Sequence, residues 1–319
     1  MPLPSVLVVR RVPSSVLELL RQHCLVDAHE GQDLARDELL RRVADKAGLV
    51  SVLTTRIDRE LLEAAPGLKV VANIAVGYDN IDVPAARARG VVATNTPDVL
   101  TDSVADFTIG LILAVTRRIV EGDRLVRRGV WGGWALDFML GSELRGKQLG
   151  VIGMGRIGAA VAARAAAFGM GVAYADPSGE RLASTGAGQG TRMSLDELLN
   201  TSDVVTIHVP LTPATRHLID QRALARMKRT AYLVNTSRGP VVDEQALAWA
   251  LGEHLIAGAA LDVYEREPEV YADLLGLENV VLAPHLGSAT RETRTAMAEL
   301  AARNVIEVLA GRPPITPIG

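Results

Sequence analysis

Three residues in the last third of this chain are of types that could move a proton and hold an anion. Arg238 lies in "NTSRGPVVDE" (235–244), Glu267 in "LDVYEREP" (261–268) and His285 in "LAPHLGSAT" (282–290). Each sits at or just beyond a short apolar run that reads as a strand. A histidine gains and loses a proton near neutral pH, a carboxylate can orient it, and an arginine offers a fixed cation. Together they suit the reduction of a carbonyl group. Taken singly, each has a plainer reading: a solvated loop arginine, a surface acid, a satisfied strand-end histidine. His23, His29, His208, His217 and His254 lack comparable context and read as structural or exposed.

A second signal precedes them. "GVIGMGRIG" (150–158) places Gly153, Gly155 and Gly158 between a strand-like run and an Ala-rich helical run. The first glycine permits a tight turn, the second lets backbone approach a pyrophosphate, and the third lets helix and strand pack closely. The helix N-terminus then offers N–H groups and a partial positive charge to the phosphates. Asp176 ends the next strand, where a carboxylate binds both hydroxyls of an adenosine ribose and repels a 2′-phosphate. This favours NAD, while Arg181 nearby leaves room for NADP. Position suggests further cofactor contacts. Met154, Arg156 and Ile157 belong to the turn. Val209 and Pro210 end a strand beside the adenosine half, with Thr215 just beyond. Thr236 and Asp262 end strands near the nicotinamide.

These residues need a scaffold that gathers strand ends. Strand-like runs at 148–153, 171–176, 203–210, 230–237, 257–264 and 279–284 alternate with helical stretches, which predicts a doubly wound parallel sheet. The residues before them repeat the pattern. Runs at 5–10, 48–55, 68–77 and 91–96 read as strands, with helices near 16–23 and 36–47. A long apolar helix is expected from about Asp98–Asp102 through Ile119, buried between two domains. A last helix, about 290–310, is expected to fold back on the leading domain. The fold class is therefore α/β, with domains 1–99 plus 288–319 and an inserted domain 100–287.

The bulk numbers agree. The chain has 319 residues, 48% of them hydrophobic, and a formal charge of −3. That length suits two domains. No basic field invites nucleic acid, and no apolar run reaches the roughly 20 residues of a membrane span. The start shows no signal-peptide layout, and a single cysteine, Cys24, suits a reducing cytoplasm. No metal-ligand cluster is visible, so no metal is expected.

The motifs in order carry a resemblance. "VGYDNIDV" (76–83), "LRGKQLGVIGMGRIG" (144–158), "HVPLTPATRHLI" (208–219), "NTSRGPVVDEQAL" (235–247), "ALDVYEREP" (260–268) and "APHLGSAT" (283–290) make the chain resemble the D-isomer-specific 2-hydroxyacid dehydrogenases. Among them it is most like the glyoxylate/hydroxypyruvate reductases. The resemblance implies a Rossmann NAD-binding domain inserted into a flavodoxin-like substrate domain, with a cleft between them. It implies that Arg238, Glu267 and His285 are catalytic, with Arg238 also holding the substrate. It implies that Val76 and Gly77 bind the substrate carboxylate through backbone N–H groups, with Ser288 on the substrate and Gly287 and His285 beside the cofactor. It further implies a homodimer in which Trp134 reaches the partner subunit's active site; a helix-end aromatic is the plainer reading.

Other activities occur on this scaffold. Phosphite dehydrogenases have a lysine where Val76 stands, and formate dehydrogenases lack the Glu/His pairing. Phosphoglycerate dehydrogenases often carry a regulatory domain after the point where this chain ends, but short forms keep that alternative open. Corepressors that sense NAD are a rival of another class. They are binding proteins first, and no long disordered tail or basic patch is visible here.

Overall fold

The computed structural model describes residues 2–31, 34–177 and 190–318. The chain divides into two compact units, Met1–Leu100 with Thr290–Gly319, and Thr101–Ala289.

The first unit is built on five parallel strands: β1 (Ser5–Val8), β2 (Leu25–Ala28), β3 (Gly48–Val52), β4 (Val70–Ile74) and β5 (Val92–Thr94). Their order, β2-β1-β3-β4-β5, is the flavodoxin-like one. Alternation along β1 explains why both faces are covered. Val6 and Val8 pack with Val16 and Leu20 of α1 (Ser14–Arg21). Leu7, between them, packs with Leu39 and Val43 of α2 (Arg36–Val43) and Leu61 of α3 (Arg59–Ala64). Each such side chain, fully buried, contributes about 1.5–3 kcal/mol. A short helix, α4 (Val83–Ala88), leads into β5. The strand β2 was not expected. It is an edge strand with Leu25 exposed and Asp27 paired with Arg42, so its four residues carry no continuous apolar run.

The second unit opens with α5 (Thr101–Thr116), which packs on α7 (Arg156–Ala167) and on the sheet of its own unit. The expected single helix through Ile119 is broken. Arg118 adopts φ 54°, and its guanidinium binds both oxygens of Glu121, at 2.8 and 2.6 Å, in the first turn of α6 (Ile119–Arg127). The sheet comprises β6 (Gln148–Ile152), β7 (Gly171–Ala175), β8 (Thr191–Arg192), β9 (Val204–Ile207), β10 (Tyr232–Asn235), β11 (Gly258–Leu261) and β12 (Val280–Leu282). All paired strands are parallel, in the order β12-β11-β10-β9-β6-β7-β8. The chain winds outward from β6 to β8, then returns to the other side of β6 to lay down β9. That reversal opens a crevice at the carboxyl ends of β6 and β9, where ligands bind in such sheets. α8 (Leu195–Thr201), α9 (Gln221–Arg226) and α10 (Glu244–Gly252) cover one face, and α5 and α7 the other. A short helix, α11 (Ala272–Leu275), precedes β12.

The chain then rejoins the first unit. Thr290 caps α12 (Arg291–Leu309), and Ala298, Ala301, Ala302 and Val305 close over Val6, Val8 and Val70. Among the described residues no helix is long and apolar enough to cross a membrane. Among the same residues no group of three or more His, Cys, Asp or Glu side chains could hold a metal ion.

Candidate active site

β6 runs directly into the glycine turn. Gly153 has φ 90°, and a Cβ there would lie 2.8 Å from the His208 carbonyl carbon, so only glycine lets β6 and β9 end this close. A Cβ on Gly158 would lie 2.2 Å from the Gly153 carbonyl oxygen. Gly155 differs, because nothing lies within 4 Å of its Cβ position. The space beside it faces the start of α7, which has no side-chain cap and no acidic residue in its first turn. An open approach to a bare helix N-terminus fits the pyrophosphate of a dinucleotide. Met154 is buried, and its N–H donates to Oδ2 of Asp176 at 2.8 Å. Asp176 is thereby held beside the turn, and Arg192 donates to its carbonyl at 3.1 Å. Arg181 lies outside the described residues.

The three chemically suited residues follow β10, β11 and β12, on the same carboxyl edge. Buried Asn235 shapes the Arg238 loop. Its Oδ1 accepts from the Ser237 N–H at 3.0 Å and the Ser237 hydroxyl at 2.8 Å, while its Nδ2 donates to the Arg238 carbonyl at 2.9 Å. Gly239 then packs on the Glu267 loop. A Cβ there would lie 1.9 Å from the Tyr264 carbonyl carbon, so backbone meets backbone. Gly239→Ala is expected to destabilise the protein by about 1–3 kcal/mol through overpacking. A lower urea midpoint measures it; an unchanged midpoint would show that the two loops separate freely.

The Glu267 loop is tied at two more points. The Tyr264 N–H donates to Oε1 of Glu267 at 3.1 Å, and the Tyr264 hydroxyl donates to the Ala283 carbonyl at 2.9 Å. His285 follows with φ 54°, a strained setting for a non-glycine residue. Asp262 enforces it. The Asp262 carbonyl accepts from the His285 N–H at 2.9 Å. Its carboxylate accepts from the N–H groups of Leu286 at 2.6 Å and Gly287 at 2.8 Å. In this geometry Nδ1 of His285 lies 2.9 Å from Oε2 of Glu267. Against an ionised carboxylate Nδ1 carries its proton, which leaves Nε2 for chemistry.

The charges are tuned by these contacts. Burial raises the Glu267 pKa, but the hydrogen bond and charge of His285, the Tyr264 N–H and the charge of Arg238 outweigh it, and the carboxyl sits below the usual glutamate range. Burial raises Asp262 despite its two backbone donors. Burial also pushes the Tyr264 hydroxyl up to about 12, which keeps it a neutral donor. Burial pushes His208 down to about 3, and its Nε2 lies 2.9 Å from the Thr206 hydroxyl, a structural setting.

The structure thus brings Glu267 and His285 into contact and sets Asp262 and Gly287 beneath them. Arg238 acts on Glu267 through its charge. Thr236 directly follows β10, with its hydroxyl 3.0 Å from that of Thr108 on α5. Val209 and Pro210 follow β9, and the Thr215 hydroxyl donates to the Pro210 carbonyl at 2.6 Å. Arg156 and Ile157 open α7, and Ser288 follows Gly287 with partial exposure. Val76 and Gly77 lie after β4, in the first unit. Trp134 joins none of these groups. It is 82% exposed, in a stretch where Trp131, Leu136, Phe138 and Leu140 are exposed too. Sequence reading missed the framing roles of Asn235, Gly239 and Tyr264. All three lie in quoted motifs, and the only visible signal was their adjacency to Arg238 and Glu267.

Known proteins resemble this chain over nearly its whole length. Residues 109–287 match the model of the D-isomer specific 2-hydroxyacid dehydrogenase, NAD binding domain. A glyoxylate reductase of Thermofilum pendens is 51% identical over 315 residues, 98% of this chain and 93% of that one. A glyoxylate reductase of Korarchaeum cryptofilum is 50% identical over 314 residues, 98% of this chain and 94% of that one. A solved Thermus thermophilus protein shares 46% identity at a TM-score of 0.93, covering 99% of this chain and 100% of that one. The NADPH-dependent glyoxylate/hydroxypyruvate reductase of Sinorhizobium meliloti, solved with NADP and malonate, shares 36% identity at a TM-score of 0.88, covering 100% of this chain and 97% of that one. With the glycine turn, the matched domain and relatives that span nearly the whole length, this chain belongs to the D-isomer-specific 2-hydroxyacid dehydrogenases.

Proposed function

We propose that this protein reduces a small 2-oxo acid, glyoxylate or hydroxypyruvate, to the D-2-hydroxy acid with a nicotinamide cofactor, NADH in preference to NADPH. The observation that carries this reading is the Glu267–His285 contact at 2.9 Å on the same sheet edge as the glycine turn. The relatives named glyoxylate reductase, about half identical to this chain, support the substrate. When bound, the nicotinamide supplies a hydride to the substrate's carbonyl carbon.

The protein's residues do the rest. The planar fork of Arg238 holds the substrate carboxylate and carbonyl oxygen. The N–H groups of Val76 and Gly77 bind the carboxylate's other side, and Ser288 also contacts the substrate. His285 donates its Nε2 proton to the carbonyl oxygen as negative charge develops there. Glu267, ionised, accepts from Nδ1–H and keeps the imidazole oriented. On the cofactor, the turn 153–158 takes the pyrophosphate, and Asp176 takes the ribose hydroxyls, which favours NADH. Val209, Pro210 and Thr215 flank the adenosine half. Thr236, Asp262, His285 and Gly287 flank the nicotinamide.

The protein is proposed to act as a homodimer in the cytoplasm. The exposed run around Trp134 supports the dimer, with Trp134 entering the partner subunit's site. Sedimentation as a monomer would remove that role. Cys24, a buried free thiol, suits the compartment.

The deciding experiment is a set of initial rates with glyoxylate, hydroxypyruvate, pyruvate and phosphohydroxypyruvate, each with NADH and NADPH. Fast turnover of glyoxylate or hydroxypyruvate with NADH supports the whole reading. A preference for NADPH would sink the role given to Asp176, and no turnover from protein that binds NADH would sink the substrate.

A further inference from the structure

The backbone at 75–77 is fixed through its carbonyl oxygens, one by one. The Thr96 N–H donates to the Ala75 carbonyl at 2.8 Å. The side-chain amide of Asn95 donates to the Val76 carbonyl at 2.8 Å. The buried Asn73 amide donates to the Gly77 carbonyl at 3.2 Å, and its Oδ1 accepts from the Ser51 hydroxyl at 3.1 Å. Across a planar trans peptide the C=O of one residue and the N–H of the next point in opposite directions. Anchoring the Ala75 carbonyl therefore turns the Val76 N–H away from Thr96. Anchoring the Val76 carbonyl turns the Gly77 N–H away from Asn95.

Asn95 is itself held from the far end of the chain. The Thr316 hydroxyl donates to the Asn95 carbonyl at 2.6 Å, and the Asn95 N–H donates to the Thr316 carbonyl at 3.3 Å. Thr316 in turn hangs on Asn304, a buried side chain of α12. Asn304 Nδ2 donates to the Thr316 hydroxyl at 2.8 Å, and its Oδ1 accepts from the N–H groups of Ile315 at 2.9 Å and Thr316 at 3.0 Å. The Ile318 N–H donates to the Ala93 carbonyl at 2.9 Å, and Thr94 and Pro317 form an antiparallel bridge. The segment 315–318 is thus stitched to β5 and to Asn95, which directly follows it.

We infer that Asn95, strapped in place by Thr316 and Asn304, is a positioning residue that sets the affinity of the Val76–Gly77 backbone for the substrate carboxylate. This rests on the role proposed for that backbone. Asn95 acts through the Val76 peptide plane, so its loss weakens carboxylate binding and leaves the hydride and proton transfers alone.

The test compares Asn95→Ala, Thr316→Val and the conservative Thr316→Ser. Asn95→Ala is expected to raise KM for glyoxylate, and the inhibition constant of oxamate on the NADH-loaded protein, about tenfold, with kcat and NADH affinity within about twofold. Thr316→Val is expected to give about threefold, and Thr316→Ser to restore the parent value, because only the hydroxyl bond differs. Amide exchange at 75–78 should quicken in Asn95→Ala and Thr316→Val, with β1 and β3 unchanged. Unchanged KM and exchange in folded variants would overturn the inference. So would a joint fall of kcat, NADH affinity and urea midpoint, which marks a purely structural role. If the parent protein turned over no 2-oxo acid, the proposed function would fail on its own. Exchange at 75–78 would still decide the strap, since unchanged protection in Thr316→Val refutes it.

Discussion

Arg238→Ala is expected to lower kcat/KM for glyoxylate by roughly three orders of magnitude, the effect of truncating one partner of a desolvated charge pair. NADH affinity should stay near the parent value, because the turn 153–158 and Asp176 follow other strands of the sheet, β6 and β7. The loop itself should persist, since Asn235 shapes it through the backbone of 237 and 238 rather than through the guanidinium. Arg238→Lys should recover only part of the loss, because an ammonium cannot grip a carboxylate and a carbonyl oxygen as a planar fork does. Steady-state rates with fluorescence titration of NADH separate the two quantities. Near-normal turnover in Arg238→Ala would remove Arg238 from the chemistry.

His285→Gln should lower kcat by about a hundred-fold to ten-thousand-fold, the range lost with a general acid. NADH affinity should hold, and its loss would point to a disturbed loop instead. Glu267→Gln should be milder, because a neutral amide oxygen can still accept from Nδ1–H and hold the ring in place. The response to acid follows from the depressed Glu267 pKa. A carboxylate whose folded pKa lies below its unfolded value stabilises the fold above the unfolded value. That contribution is lost only as pH falls through the depressed one. The Glu267–His285 pair should therefore survive passage through the ordinary glutamate range. A fall in kcat as large as that of His285→Gln would refute this account of Glu267→Gln.

Much of this was legible in the sequence because the relevant strands are buried on both faces. Continuous runs such as Val204–Ile207 and Gly258–Leu261 announce themselves, and Arg238, Glu267 and His285 stand just beyond such runs. What stayed hidden depends on backbone. β2 and β8 are short edge strands with no apolar run to show. The break at Arg118 is a local φ choice inside a helical pattern. Gly239 looks like any loop glycine until the Tyr264 backbone is found against it. Asn95 looks like a turn residue until its amide is traced to Val76. Hydrogen bonds between segments far apart in sequence leave no periodicity to read.

The return of α12 to the first unit has a consequence for how the protein is made. During synthesis the strands β1, β3 and β4 leave the ribosome long before Ala298, Ala301, Ala302 and Val305 do. One apolar face of the first sheet, with Val6, Val8, Val50 and Val70, therefore waits without its α12 cover while the second unit is translated. The second unit is continuous in sequence and needs nothing from α12 to close its own core. The domain translated first is thus the one completed last, and its sheet carries the exposure to aggregation in the interval.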